Sequence, residues 1–174
     1  MNENNFLHSD IKEIAQRISH LTACFEGKRI LMTGGNGFLG RYFRAVFHYL
    51  NNEVFTEKCQ LTLLDNFTTS KQETFESTDG NIRCIQHNVI EPFAYEGELD
   101  YIIHAAGIAS PYYYRAEPLM TLEVASIGSK HMLDLAKKTG ARYTFFSSSE
   151  IYGDPDPKHV PIPESYRGNV NPIG

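Results

Sequence analysis

Several things the 174-residue sequence is short of narrow its class before any motif is read. Cys24, Cys59 and Cys84 are too few and too widely spaced for a disulfide framework or a zinc site, so they read as reduced thiols. The seven histidines show no metal-ligand spacing, and no metal is expected. A cationic excess is missing too: 16 Lys and Arg against 21 Asp and Glu leave a net charge of −5, which argues against a general nucleic-acid binder. No stretch approaches the roughly 18 consecutive apolar residues of a membrane-spanning helix, so no membrane partner is expected. The opening residues Met1–His8 have neither a basic region nor an apolar core of the signal-peptide kind, and a cytoplasmic protein is expected. Internal repeats and low-complexity tracts are absent as well.

What is present is an apolar run that breaks into glycines. Residues 29–40 read Arg-Ile-Leu-Met-Thr-Gly-Gly-Asn-Gly-Phe-Leu-Gly. With Ile30–Thr33 as a buried strand, Gly34 makes a tight turn, Gly37 admits a pyrophosphate to the backbone, and Gly40 lets the next helix pack closely. Such a turn also occurs as an ordinary strand-to-helix loop, so the surrounding chain has to supply the context. It does so at Gln60–Asp65, an apolar strand that stops on a carboxylate 25 residues after Gly40. A carboxylate there hydrogen-bonds an adenosine ribose and repels a 2′-phosphate, so Asp65 favours NAD over NADP.

The remaining elements alternate in the same way. Asp10 and Glu13 suggest a capping box for a helix over about 10–23, with Ile11, Ile14, Ala15, Ile18 and Leu21 as its apolar stripe. A second helix runs from Phe38 to about Leu50. Further strands are expected at Asn81–His87, Leu99–Gly107 and Arg142–Phe146. A helix near Leu119–Thr139, stopped by Gly140, precedes the last of them. Ala105, Ala106 and Gly107 form a small-residue floor on which a ligand can lie across the sheet. The tyrosine triplet 112–114 reads either as a loop packing on its own domain or as part of a substrate pocket. Ser147–Glu150 puts hydroxyls and a carboxylate at a strand's carboxyl end, and residues 156–174 read mostly as loop.

Four segments together resemble the extended short-chain dehydrogenase/reductase family of nucleotide-sugar epimerases, dehydratases and decarboxylases: Thr33–Gly40, Leu63–Phe67, His104–Gly107 and Ser147–Pro155. Ala109-Ser-Pro111 with Tyr114, Ser149–Pro155 and Gly168–Gly174 make the decarboxylases of UDP-glucuronate the most similar branch. The resemblance implies an α/β fold, a Rossmann-type doubly wound parallel sheet of strand order 3-2-1-4-5, truncated before its last strands. Residues 1–28 are then a helical extension, and residues 29–174 an incomplete NAD-binding domain without its substrate domain.

By the same resemblance, Gly34, Gly37, Phe38 and Leu39 hold the pyrophosphate, Asp65 and Asn66 the ribose, and Asn88 and Val89 flank the adenine. Ala105, Ala106 and Gly107 line the cofactor, Tyr114 and Ser149 touch substrate, and Ser148 and Glu150 are catalytic. The implied chemistry is oxidation of a sugar C4 hydroxyl, decarboxylation and re-reduction on a UDP-sugar, in an intact enzyme that forms a homodimer. A 4-epimerase or 4,6-dehydratase is the alternative within the family, and a non-catalytic NAD-binding or assembly module the alternative outside it.

The chain departs from the family pattern in four places. Asn88 stands where Asp is usual, Ser149 where dehydratases carry Asp before the Glu, and Ala125-Ser126 where the family has an Asn. The family's Tyr-x-x-x-Lys pair does not occur near Gly174, so these 174 residues alone are expected to be inactive.

Overall fold

Two apolar runs with no polar alternation, Ile30–Thr33 and Leu61–Leu64, set the centre of the molecule, because a strand covered on both faces has no side to give to water. The computed structural model of the chain describes residues 3–70 and 75–171. In it β1 (Arg29–Thr33) and β2 (Gln60–Asp65) pair in parallel, with Ile30 opposite Leu61 and Thr33 opposite Leu64. β2 pairs with β4 (Ile82–Gln86), β1 with β5 (Tyr101–His104), and β5 with β6 (Arg142–Phe145), all in parallel. The sheet order is β3-β4-β2-β1-β5-β6, which is the expected 3-2-1-4-5 order with one strand added. The added strand is β3 (Phe75–Glu76), antiparallel on β4 and too short to leave a periodic signal.

The two faces of the sheet are covered differently. On one, α1 (Glu3–Arg17) contributes Ile11 and Ala15, and α2 (Phe38–Glu53) contributes Val46, Phe47 and Leu50, to a cluster with Ile30, Met32, Leu61 and Leu63. On the other, α5 (Ser129–Thr139) buries Met132, Leu135 and Ala136 against Leu31, Leu64 and Ile102. α5 ends on Gly140 in the left-handed region at φ 75°, the expected stop. At the amino edge of the sheet, Asp100 accepts from the Arg29 backbone N–H at 2.8 Å and from Lys28 Nζ at 3.2 Å. The Arg29 N–H, followed by Lys28, holds its carboxyl below the usual range.

Three expectations need correction. The first helix is α1, which begins upstream of Asp10 and gives way to a 3-10 turn at Ser19–Phe25. Asp10 is therefore no cap: its Oδ2 accepts from Tyr42 Oη at 3.0 Å, fastening α1 to α2, and Leu21 is exposed. The helix near 119–139 is present as a continuous helical run but is not regular throughout: α4 (Pro118–Glu123) passes through a π-helical turn at Val124–Gly128 into α5. The tyrosine triplet is not a loop, since it lies on α3 (Pro111–Ala116). Pro111 and Pro118 each sit in a helix's first turn, where a missing N–H costs nothing, and Pro118 pushes Glu117 to φ −128°, ψ 63°, out of the helical region. Among the described residues no helix is long and apolar enough to cross a membrane.

Candidate functional site

The carboxyl edge of the sheet is where the glycines act. Gly34 follows β1 at φ +73°, and a Cβ on it would lie 2.9 Å from the Ala105 carbonyl oxygen. The N–H groups of Gly34 and Gly35 donate to Leu64 O at 2.8 and 3.2 Å, so the loop is tied to the end of β2 while it leans on the segment after β5. Gly37 is the N-cap of α2 and offers no side-chain cap, and α2 has no acidic residue in its first turn. The first N–H groups of the helix and its positive dipole end therefore remain available to an anion.

Asp65 at the end of β2 is clamped to this loop. Its Oδ2 accepts from Asn36 N at 2.8 Å, and its Oδ1 accepts from Phe67 N at 2.8 Å and Ser70 Oγ at 3.1 Å. The chain reverses there through Phe67, a bulky residue at φ 61° in the left-handed region, whose ring packs on the core and holds that conformation in place. Asn66 Oδ1 accepts from Thr68 N at 3.0 Å in a turn of the same kind.

These residues converge on one cleft, lined by Gly34, Gly37, Asp65, Asn66, Val89 and the Ala105–Gly107 segment. Val89 is buried beneath the π-helical turn, where Gly128 approaches so closely that a Cβ would meet Val89 Cγ2 at 2.7 Å. Phe38, Leu39 and Asn88 do not line the cleft. Phe38 is 70% exposed on the first turn of α2, Leu39 is beside it, and Asn88 Oδ1 turns back to accept from Ile90 N at 3.3 Å. The pyrophosphate role expected of Phe38 and Leu39 can reach the cleft only through their backbone N–H groups.

A second, wider groove of about 960 Å³ shares the floor Ala105–Gly107 and continues past Tyr114, Ser148 and Glu150 to the apolar side chains of Phe145, Phe146 and Ile151. Ser148 closes the start of a 3-10 turn over Ser149–Tyr152, its Oγ accepting from Glu150 N at 3.2 Å. Ser149 lies on that turn outside the groove lining. The fold thus brings Tyr114 from α3 together with Ser148 and Glu150 from the 3-10 turn in one space, next to the cleft. Ala125, which stands where the family has an Asn, also lines the groove, as do Thr121 and Ser129, which carry no sequence signal.

Sequence reading also passed over Thr33 and His104, the last residues of β1 and β5. Both are fully buried. Thr33 Oγ1 is 3.1 Å from Ala105 N, 3.0 Å from Ala106 N and 2.7 Å from His104 Nδ1. Burial pushes the His104 pKa down to about 4, so the imidazole is neutral near pH 7. The available signal was the polarity of the two residues: each ends an otherwise apolar buried strand, where an uncompensated polar group is costly.

Comparisons with known proteins agree with this geometry. Residues 30–173 match the sequence profile of the NAD dependent epimerase/dehydratase family. The chain is 41% identical over 153 residues to UDP-glucuronic acid decarboxylase 3 of Arabidopsis thaliana, covering 87% of this chain and 42% of that one. It is 42% identical over 149 residues to UDP-glucuronic acid decarboxylase 1 of Xenopus tropicalis, covering 84% and 33%. The chain therefore spans less than half the length of these relatives. Among solved structures, a UDP-galactose 4-epimerase superimposes with a TM-score of 0.63 at 24% identity over 82% of this chain and 45% of that one. The dTDP-glucose 4,6-dehydratase DesIV of Streptomyces venezuelae, solved with NAD bound, gives 0.59 at 24% identity over 74% and 42%.

Proposed function

The chain belongs to the NAD dependent epimerase/dehydratase family, and from that membership we propose that residues 29–174 are the NAD-binding part of a nucleotide-sugar-modifying enzyme of the UDP-glucuronate decarboxylase type. One observation carries the reading: the cleft and the groove meet over the same floor, Ala105–Gly107. A dinucleotide in the cleft would present its far end to whatever the groove holds. The decarboxylase branch is favoured by identities of about 40% to such enzymes and by Ser149 in place of the dehydratase Asp.

The donor set fits NAD. Uncapped N–H groups at the start of α2 would hold the pyrophosphate, and the floor is free of large side chains. Asp65, already held by three donors, keeps one acceptor lone pair, on Oδ2, for a ribose hydroxyl and repels a 2′-phosphate. NAD supplies the reversible oxidation of a sugar hydroxyl to a ketone, which gives decarboxylation an electron sink. Ser148 hydrogen-bonds and orients that hydroxyl, and the Glu150 carboxylate assists proton transfer beside it. Tyr114 presents a ring to the sugar from α3.

Removing the ribose carboxylate tests the cleft. Asp65→Ala is expected to weaken NAD binding by roughly thirtyfold, the value of one charged hydrogen bond, and to narrow the preference over NADP. Titration calorimetry with both nucleotides reads it; unchanged affinity would mean that Asp65 only braces the loop.

Activity tests the groove. The 174 residues hold no Tyr-x-x-x-Lys pair, so by themselves they are expected to give no turnover. A protein that continues them through such a pair is expected to release carbon dioxide from UDP-glucuronate with NAD present. In that protein Glu150→Gln lowers kcat roughly 10²-fold with little change in KM, as loss of a positioned acid/base does. Release of no carbon dioxide from any uronic-acid nucleotide sugar would refute the decarboxylase assignment, and an epimerised or dehydrated product would name the alternative.

A further inference from the structure

Thr33 Oγ1 has three neighbours within hydrogen-bonding distance and one hydrogen to give. Ala105 N and Ala106 N can only donate, so they occupy the two lone pairs of the hydroxyl oxygen. The hydroxyl hydrogen is then directed at the remaining neighbour, His104 Nδ1 at 2.7 Å, which must accept. A neutral imidazole that accepts at Nδ1 carries its proton on Nε2. Nε2 of His104, Oγ of Ser129 and Oη of Tyr143 are buried atoms without a partner at hydrogen-bonding geometry among the described residues. The Tyr143 ring lies 6.2 Å from the His104 ring, and Ser129 adjoins the Tyr143 phenol closely enough to favour its ionised form against burial. Phe145 stacks on the imidazole at 5.7 Å and limits its rotation.

We propose that His104 is a positioning residue for the cofactor: held as the Nε2–H tautomer, it turns the Thr33 hydroxyl so that its lone pairs pin the Ala105 and Ala106 N–H groups and set the height of the floor. The pinned segment is the one whose Ala105 carbonyl abuts Gly34, so the same bond network fixes the distance between floor and glycine turn. His104 touches neither the cleft nor the groove itself, because it is not among the residues lining either. It acts through Thr33. The inference rests on the reading of the cleft as an NAD site, and the test separates the two.

The experiment is long-range proton–nitrogen correlation NMR on the protein labelled with 15N-histidine, paired with calorimetric titration of NAD. In the unsubstituted protein His104 is expected as the neutral Nε2–H tautomer. Thr33→Val removes the donor to Nδ1 and is expected to mix the tautomers and weaken NAD by roughly tenfold, while Thr33→Ser restores both. An Nδ1–H tautomer in the unsubstituted protein overturns the proposal, and that measurement needs no variant to fold. A folded Thr33→Val protein that binds NAD as tightly as the original also overturns it. Failure of the unsubstituted protein to bind NAD overturns the cofactor reading instead, and the tautomer still decides the part played by His104.

Discussion

Gly40→Ala is expected to destabilise the protein by about 4 kcal/mol and to abolish NAD binding, although alanine is the better helix former by about 1 kcal/mol. The reason is the company a Cβ would keep. On Gly40 it would lie 2.3 Å from the Gly34 carbonyl oxygen and 2.4 Å from that of Gly35. Both contacts are backbone, so no side chain can swing aside. Either α2 lifts off the glycine turn or the turn flattens, and each movement pulls the helix N-terminus from the cleft. Gly37→Ala is the matched control, since its Cβ would meet only the Gly34 oxygen, at 3.3 Å. Its stability cost should be under about 1 kcal/mol. Urea unfolding of both variants reads the difference, and equal midpoints would show that α2 does not depend on the close approach.

The second large effect is on acid stability, through His104. Its pKa is near 4 in the folded protein, against 6.5 for the ordinary group, and burial is the cause. The unfolded chain therefore binds this proton more readily than the folded one. The contribution is fully present above about pH 6.5, declines as pH falls towards 4, and is spent below that, for a total of about 3 kcal/mol. The groups that face the ring are Thr33, Tyr143 and Phe145, and the Tyr143 phenol, its pKa raised by burial, stays neutral throughout the window. His104→Asn keeps an acceptor for Thr33 but does not titrate. Its stability should be less steep in pH, so that the gap between it and the original protein shifts by about 3 kcal/mol between pH 7 and pH 4. Parallel pH profiles would mean that the imidazole is already charged, or hydrated, in the folded state.

Much of the fold was legible because the sequence states its burial plainly. Ile30–Thr33 and Leu61–Leu64 are apolar without alternation, and both proved to be covered on the two faces. Asp65 at the carboxyl end of one, and glycines at the end of the other, fixed which edge of the sheet would carry a site. The helix after β5 was less legible at its π-helical turn, where the extra residue does not alter composition. Asp10 and Glu13 have the spacing of a cap, but the helix had already begun, and Tyr42 on α2, 32 residues later, gives Asp10 its partner. Such a partner is set by packing and leaves no local trace.

The candidate site divides along the same line. Gly34, Gly37, Asp65, Asn66, Val89 and Ala105–Gly107 were named from pattern and resemblance, and the fold brings them into one cleft. Phe38 and Leu39 were named with them, but a residue at the first turn of a helix can offer its N–H inward while its side chain points to water. Thr33 and His104 carry no periodic or spacing signal of their own, since each only leads into a run of glycines or alanines. Their role follows from counting donors and acceptors, which requires knowing that β1 and β5 are neighbours.

The most direct measurement of the central idea is equilibrium binding of NAD to the 174-residue chain, followed by titration calorimetry with NADP as competitor. The cleft built from Gly34, Gly37, Asp65 and Ala105–Gly107 predicts saturable binding of one NAD per chain, with NADP markedly weaker. Absence of saturable binding, or equal affinity for NADP, would contradict it.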